Sequence, residues 1–333
     1  MKLLVNILFP LLIVSILVNY TPIRFGRKCN ACLCAAFWNG TAFTMDRDRV
    51  LPLSGVHNFR DYGGYAVSGG GRVKTGLLFR SGEHGKATDT DLAAIDALDL
   101  AHVIDLRGNS ERRANPCKRG PDFSAEVHFF DGETAGLAPH VEAAKDSINA
   151  EAAHAAMENL YAQLPFRDNL IWIFKRYFAA LASGEGASVV HCLAGKDRTG
   201  MAVDLLHHVL GVHPDDAMSD YLLTNTAGNM DARVAAGAKA VRAKYGNVDD
   251  ATIRVLMGVD ARYLHAARKA VDAAATSPLG ANGSAPDGGA VSSASHAPSV
   301  CLEEQTAGSA SSFATMLCWW MGNDSPRRLA ASR

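Results

Sequence analysis

The sequence predicts an α/β fold, a mostly parallel central sheet flanked by helices, and three observations carry the prediction. Short apolar runs at His102–Leu106, Glu126–Phe130 and Ala187–Val190 have the length and content of buried strands. Longer segments with apolar residues at helical spacing lie between them. Strands that alternate with helices need crossover connections, and crossovers make neighbouring strands parallel.

The elements follow in chain order. Leu3 to Val18 is apolar except for Asn6, Pro10 and Ser15, with Lys2 ahead of it and Arg24, Arg27 and Lys28 behind. The run is on the short side of the roughly 20 apolar residues that a membrane span requires, and it also has the length of a signal-peptide core. Three readings stay open. The run is a membrane anchor with the domain held in the cytoplasm by the basic residues after it, or an export signal. Alternatively it is an upstream extension of a cytoplasmic protein whose translation starts at Met45. On the first two readings residues 1–22 are the anchor or signal and 23–50 a linker; on all three, 51–275 is the folded domain and 276–333 a disordered tail. Removal of residues 1–44 is expected to leave fold and activity intact.

Within the domain, Gly69-Gly70-Gly71 reads as a hairpin tip. Thr88 to Asp91 has the form of a capping box ahead of Leu92, Ile95 and Leu98. Ala143–Gln163 is alanine-rich, with Met157, Leu160 and Tyr161 as an apolar stripe. Asp168 is the expected N-cap of a helix carrying Ile171, Phe174, Phe178 and Leu181, stopped by Gly184. Thr199–Leu210 is helical in pattern, and Pro214 after His213 opens another helix. From about Thr276 the chain is rich in Ala, Ser, Gly and Pro and lacks the apolar content to offset ordering. The apolar group Phe313, Met316, Leu317, Trp319 and Trp320 stands alone within that tail.

Composition narrows the function. A formal net charge of −1 and few aromatics argue against nucleic-acid binding. The seven cysteines are odd in number and unevenly spread, wrong for a disulfide framework. Cys29, Cys32 and Cys34 lack a second ligand pair at zinc-finger spacing, so neither a metal nor a cofactor is expected.

Residues 191 to 200 read His-Cys-Leu-Ala-Gly-Lys-Asp-Arg-Thr-Gly, between a predicted strand and a predicted helix. A loop entering a helix carries backbone N–H groups without intrahelical partners, and the helix dipole adds positive potential there. Cys192 at the start of such a loop is favoured as thiolate. Arg198 at its far end offers a planar fork for two phosphate oxygens. A nucleoside-triphosphate loop would need Ser or Thr directly after Lys196 and Gly six before it. Asp197 and Val190 stand there instead. A buried structural cysteine would not account for Gly195, Arg198, Thr199 and Gly200 together. The chemistry implied is phosphate-ester hydrolysis with Cys192 as nucleophile and Arg198 and the amides of Leu193, Ala194, Gly195, Lys196, Asp197 and Arg198 as the phosphate cradle.

Those ten residues, together with Gly55-Val56-His57-Asn58-Phe59-Arg60-Asp61-Tyr62-Gly63-Gly64, Leu78-Phe79-Arg80-Ser81 and Asp105-Leu106-Arg107, resemble the bacterial tyrosine or dual-specificity phosphatases of the cysteine-dependent superfamily. Some members of that group also act on phosphoinositides. The resemblance runs from roughly Leu51 to Ala275. It implies a phosphocysteine intermediate, with Thr199 supporting the thiolate, and a general acid on a loop after a strand. Asp131 occupies the matching place, with Asp197 and Asp105 as rivals. Asp105, Arg107 and Glu111 read equally as a structural ion-pair cluster. The resemblance also implies a helical lid at Ala143–Gln163, for which a packed helix is the alternative. Lys196 reads either as a second cation at the loop rim, suited to an inositol polyphosphate, or as a solvated lysine. The expected partners are a phosphorylated protein or a phosphoinositide, with membrane association through residues 3–18 as a further reading. The alternatives are a catalytically weak or dead phosphate-binding module, or a membrane-tethered scaffold.

Overall fold

The structure is a computed structural model, and it describes residues 17–19, 49–134, 149–227 and 230–276. Most of the amino-terminal run, Cys29, Cys32, Cys34, Met45, residues 143–148 and the tail from 277 lie outside the described residues.

The strands are β1 (Val18–Asn19), β2 (Arg60–Asp61), β3 (Arg72–Val73), β4 (Leu78–Ser81), β5 (Leu100–Asp105), β6 (Glu126–Phe129) and β7 (Ala187–His191). The helices are α1 (Asp89–Asp96), α2 (Asn109–Ala114), α3 (Ala150–Gln163), α4 (Asp168–Ser183), α5 (Asp197–Leu210) and α6 (Pro214–Leu222). They continue as α7 (Thr224–Ala227), α8 (Met230–Tyr245), α9 (Asp250–Met257) and α10 (Ala261–Thr276). A five-stranded sheet runs in the order β2-β4-β7-β5-β6. Only β2 is antiparallel to its neighbour; β4, β7, β5 and β6 are parallel.

Alternation along each strand builds the two sides of the core, because successive side chains point to opposite faces. Leu78, Ile104 and Val190 join the larger apolar cluster with helices α3 to α6 and α9 to α10. Their chain neighbours Phe79, Val103 and Val189 join the smaller one with Val56, Phe59 and Ile95 of α1. β7 therefore lies mid-sheet with both faces covered, and its carboxyl end is where such sheets bind ligands.

Most local signals hold. Thr88 and Asp91 form the capping box, and the same Asp91 carboxylate also accepts the amides of Ser54 and Gly55. A turn at Gly70 and Gly71, both at positive φ, closes the hairpin bridged by Ala66 and Arg72. Gly184 ends α4 at φ 70°. Asp168 is the first residue of α4 rather than its cap; Arg167 holds the extended cap position and makes no side-chain cap bond. The described part of the alanine-rich segment, α3, buries Ala153, Met157, Leu160 and Tyr161 against the main cluster, as a packed core helix does.

The end of the amino-terminal run is a second departure. Val18 pairs with Val73 in an antiparallel ribbon, and Leu17 and Val18 are buried in the main cluster. Among the described residues no helix is long and apolar enough to cross a membrane.

Candidate active site

The loop from Cys192 to Lys196 leaves β7 and enters α5, and its shape is imposed from below. Gly195 adopts φ +68°, and a Cβ there would stand 2.5 Å from the backbone of Ser81, so only glycine fits. The Gly195 carbonyl accepts Asn58 Nδ2 at 2.7 Å and Arg80 Nη2 at 3.1 Å, while the Leu193 carbonyl accepts the Glu83 amide at 3.1 Å. Arg80 also donates to Asp220 at 2.6 Å, and Arg60 donates to Asp220 and to Asn58 Oδ1. All of these side chains are buried. The motifs that carry Arg60 and Arg80 are therefore the loop's foundation. Asp220, their shared counter-ion, was not anticipated; an acid on the buried face of α6 beside Ala217 and Tyr221 is its sequence signal.

Arg198 is buried, and its fork is locked. Nη1 donates to Glu111 Oε2 at 2.6 Å, to Thr134 Oγ1 at 3.0 Å and to the Leu106 carbonyl at 3.1 Å, and Nη2 donates to Glu111 Oε1 at 2.7 Å. Burial alone would lower the arginine's pKa, but the Glu111 carboxylate outweighs it and holds the pKa above its ordinary value. Glu111 thus belongs to Arg198 and not to the Asp105–Arg107 pair. Three of the buried side-chain atoms with no hydrogen-bond partner, among the described residues, flank this loop: His191 Nε2 at the end of β7, and Arg198 Nε and Thr199 Oγ1 in the first turn of α5. Orphaned buried polar atoms are costly unless a ligand or water completes them, and two of these, Arg198 Nε and Thr199 Oγ1, are donors able to meet an anion.

His191 is fully enclosed, stacked on His84 with ring centroids 5.2 Å apart. Burial pulls its pKa down to about 4, despite the Asp105 carboxylate 3.9 Å away. Its Nδ1 lies 3.4 Å from the Cys192 carbonyl, so a neutral ring braces the loop.

The three candidate acids separate clearly. Asp105 takes a two-pronged bond from Arg107 at 2.7 and 2.8 Å. Burial would raise its pKa, yet His191 and Arg107 hold it well below the usual carboxylate range, so it has no proton to give. Asp197 is buried, accepts the Tyr161 hydroxyl at 2.8 Å and meets the Lys196 ammonium at 3.2 Å. Asp131 is exposed on the loop after β6, steadied by Asn109 Nδ2 at 3.0 Å. The same loop continues to Thr134, whose hydroxyl meets Arg198.

Lys196 is a correction. Neither a rim cation nor a solvated lysine, it is fully buried, and its ammonium donates to the carbonyls of Leu256 at 2.6 Å and Gly258 at 2.9 Å. The C-terminal carbonyls of α9 lack intrahelical partners and take up the charge.

Residues 51–280 match the model of a tyrosine phosphatase family. A protein of Cupriavidus necator named as a tyrosine-protein phosphatase is 34% identical over 229 residues, covering 67% of this chain and 79% of that protein. The triple specificity protein phosphatase PtpB of Mycobacterium tuberculosis is 29% identical over 255 residues, covering 67% of this chain and 89% of its own.

Proposed function

The chain belongs to the tyrosine phosphatase family and is a phosphatase acting on phosphotyrosine; on that premise we propose that Cys192 is its nucleophile, Arg198 its phosphate ligand and Asp131 its general acid. One observation supports this most: the Glu111-locked fork of Arg198 at the far end of the Cys192 loop, with Arg198 Nε and Thr199 Oγ1 buried and unpartnered nearby.

In the first step the Cys192 thiolate attacks phosphorus in line with the departing oxygen. The S–P bond forms, the P–O bond breaks, and Asp131 gives its proton to the leaving oxygen. In the second step Asp131 takes a proton from water as the water's oxygen attacks phosphorus, and the thiolate leaves with a hydrogen bond from Thr199. Arg198 and the amides of Leu193 to Arg198 hold the equatorial oxygens through both steps, where positioning and electrostatics supply most of the rate. Asp131 is preferred to Asp197 and Asp105 because it is the exposed carboxylate of the three, uncommitted to a buried cation.

Action on phosphoserine and phosphothreonine is proposed from the breadth that the relative's name, a triple specificity protein phosphatase, gives that protein; action on phosphoinositides is proposed from the sequence resemblance alone. The buried ammonium of Lys196 gives it no support. Membrane association through residues 3–18 rests on their apolar sequence alone.

Hydrolysis of an aryl phosphate and of a phosphotyrosine peptide tests the nucleophile. Cys192→Ser is expected to abolish turnover and keep phosphopeptide binding; turnover beyond a trace would place the nucleophile elsewhere. Asp131→Asn is expected to slow poor leaving groups by about two to four powers of ten and good ones far less. Equal losses on both, or the selective loss at Asp197→Asn, would move the acid. The same assay with phosphoserine peptides and phosphoinositides reads the breadth.

A further inference from the structure

The edge of the sheet carries a second group of chemistry-bearing side chains, three residues before Asp105 on β5 and three before Asp131 on β6. The register pairs His102 with Glu126 and Ile104 with His128. Side chains two apart share a face, so His102, Glu126 and His128 stand together. His102 Nδ1 and His128 Nε2 are 3.1 Å apart, and one potential ligand atom from each of the three residues lies within 4.8 Å of the others. Two imidazole nitrogens bound at about 2.0–2.1 Å to a tetrahedral ion are themselves roughly 3.3 Å apart. The pair needs to open by only a few tenths of an ångström to take one.

The outer nitrogens point the same way. His102 Nε2 lies 3.2 Å from the Ser183 hydroxyl and 3.7 Å from the Glu185 carboxylate. His128 Nδ1 lies 3.6 Å from the Glu126 carboxylate. Ligating histidines commonly give the outer N–H to such an oxygen, which fixes the tautomer and raises the basicity of the inner nitrogen. With the His102 Nε2 proton given to Ser183, His128 Nε2–H donates to the His102 Nδ1 lone pair at 3.1 Å, and a cation takes the place of that proton when His128 carries its own on Nδ1 beside Glu126. Both carboxylates are exposed and His128 is half-buried, which leaves an entry path.

We propose that His102 Nδ1 and His128 Nε2 bind one zinc-class divalent cation, water completing its shell and Glu126 and Glu185 holding the outer nitrogens. Imidazole suits zinc, copper and nickel, whereas magnesium prefers an all-oxygen shell. The ion would tie the edge strand β6 to β5 below the loop that carries Asp131. It takes no part in the hydrolysis.

Zinc titration of the full chain by calorimetry, with thermal unfolding alongside, tests this. Comparison between variants cancels any zinc held by cysteines. The parent chain is expected to bind one equivalent more than His128→Gln, and zinc, unlike magnesium, to raise its Tm by several degrees more than it raises that of the variant. His102→Gln should behave the same way. If that buried substitution unfolds the chain by circular dichroism, the half-buried His128→Gln decides alone. Equal zinc equivalents and equal Tm shifts in parent and His128→Gln would overturn the proposal.

Discussion

Two buried arginine–carboxylate systems hold the Cys192 loop, and they differ in one respect. Asp220 with Arg60 and Arg80 is wholly enclosed, every member at 0% side-chain exposure. Glu111 with Arg198 has the same chemistry, but Glu111 keeps 12% of its side chain exposed. The first fixes backbone, through Gly195; the second fixes a guanidinium beside the proposed nucleophile. The contrast teaches that enclosure, and not residue type, divides scaffold from binding group.

The largest expected effect falls on the enclosed system. Asp220→Asn leaves two guanidinium groups without their counter-charge, and removing one partner of a buried pair costs about 3–5 kcal/mol. Urea unfolding reads it. A loss below about 1 kcal/mol would mean that the enclosure does not carry the stability ascribed to it.

The next effect is in pH. His191 is held at about 4 against an ordinary 6.5, so between those values the unfolded chain binds more protons than the folded one. Stability therefore rises with pH across that window and is lost as pH falls from about 6.5 towards 4, by on the order of 3 kcal/mol for this ring. Asp105 and Asp220, held low by their buried cations, add further loss below about pH 4. A flat urea midpoint from pH 7 to pH 4.5 would contradict a neutral, enclosed His191.

Glu111→Gln tests the more open system. Hydrogen bonds to charged groups are worth about 1.5–3 kcal/mol, so kcat/KM should fall about ten- to a hundredfold while the urea midpoint moves little. If Glu111→Gln unfolds the protein as readily as Asp220→Asn, the distinction between the two systems fails.

The smallest effect belongs to the amino terminus. Because Leu17 and Val18 are buried against the domain, removing residues 1–44 should leave kcat unchanged but lower stability by about 1–3 kcal/mol, the scale for burying aliphatic side chains. An unchanged melting temperature would show that the β1 ribbon contributes nothing in solution.

The sequence alone determined what is local. Strand period and helix caps are written in neighbouring residues, which is why β5 to β7, the Thr88 capping box and the Gly184 stop could be read directly. The spacing of Cys192 and Arg198 is equally local, because one loop between a strand and a helix sets it. The tertiary structure decided the partners. Glu111 reaches Arg198 across 87 positions and Asp220 reaches Arg80 across 140, distances over which no periodicity carries information. The direction of Lys196 was decided by the end of α9, whose unpaired carbonyls lie some 60 residues further along the chain. Of the three aspartates that the sequence left as candidate acids, packing enclosed two beside cations and left Asp131 in solvent. A side chain's charge is set by its identity, but its availability is set by what the fold brings against it.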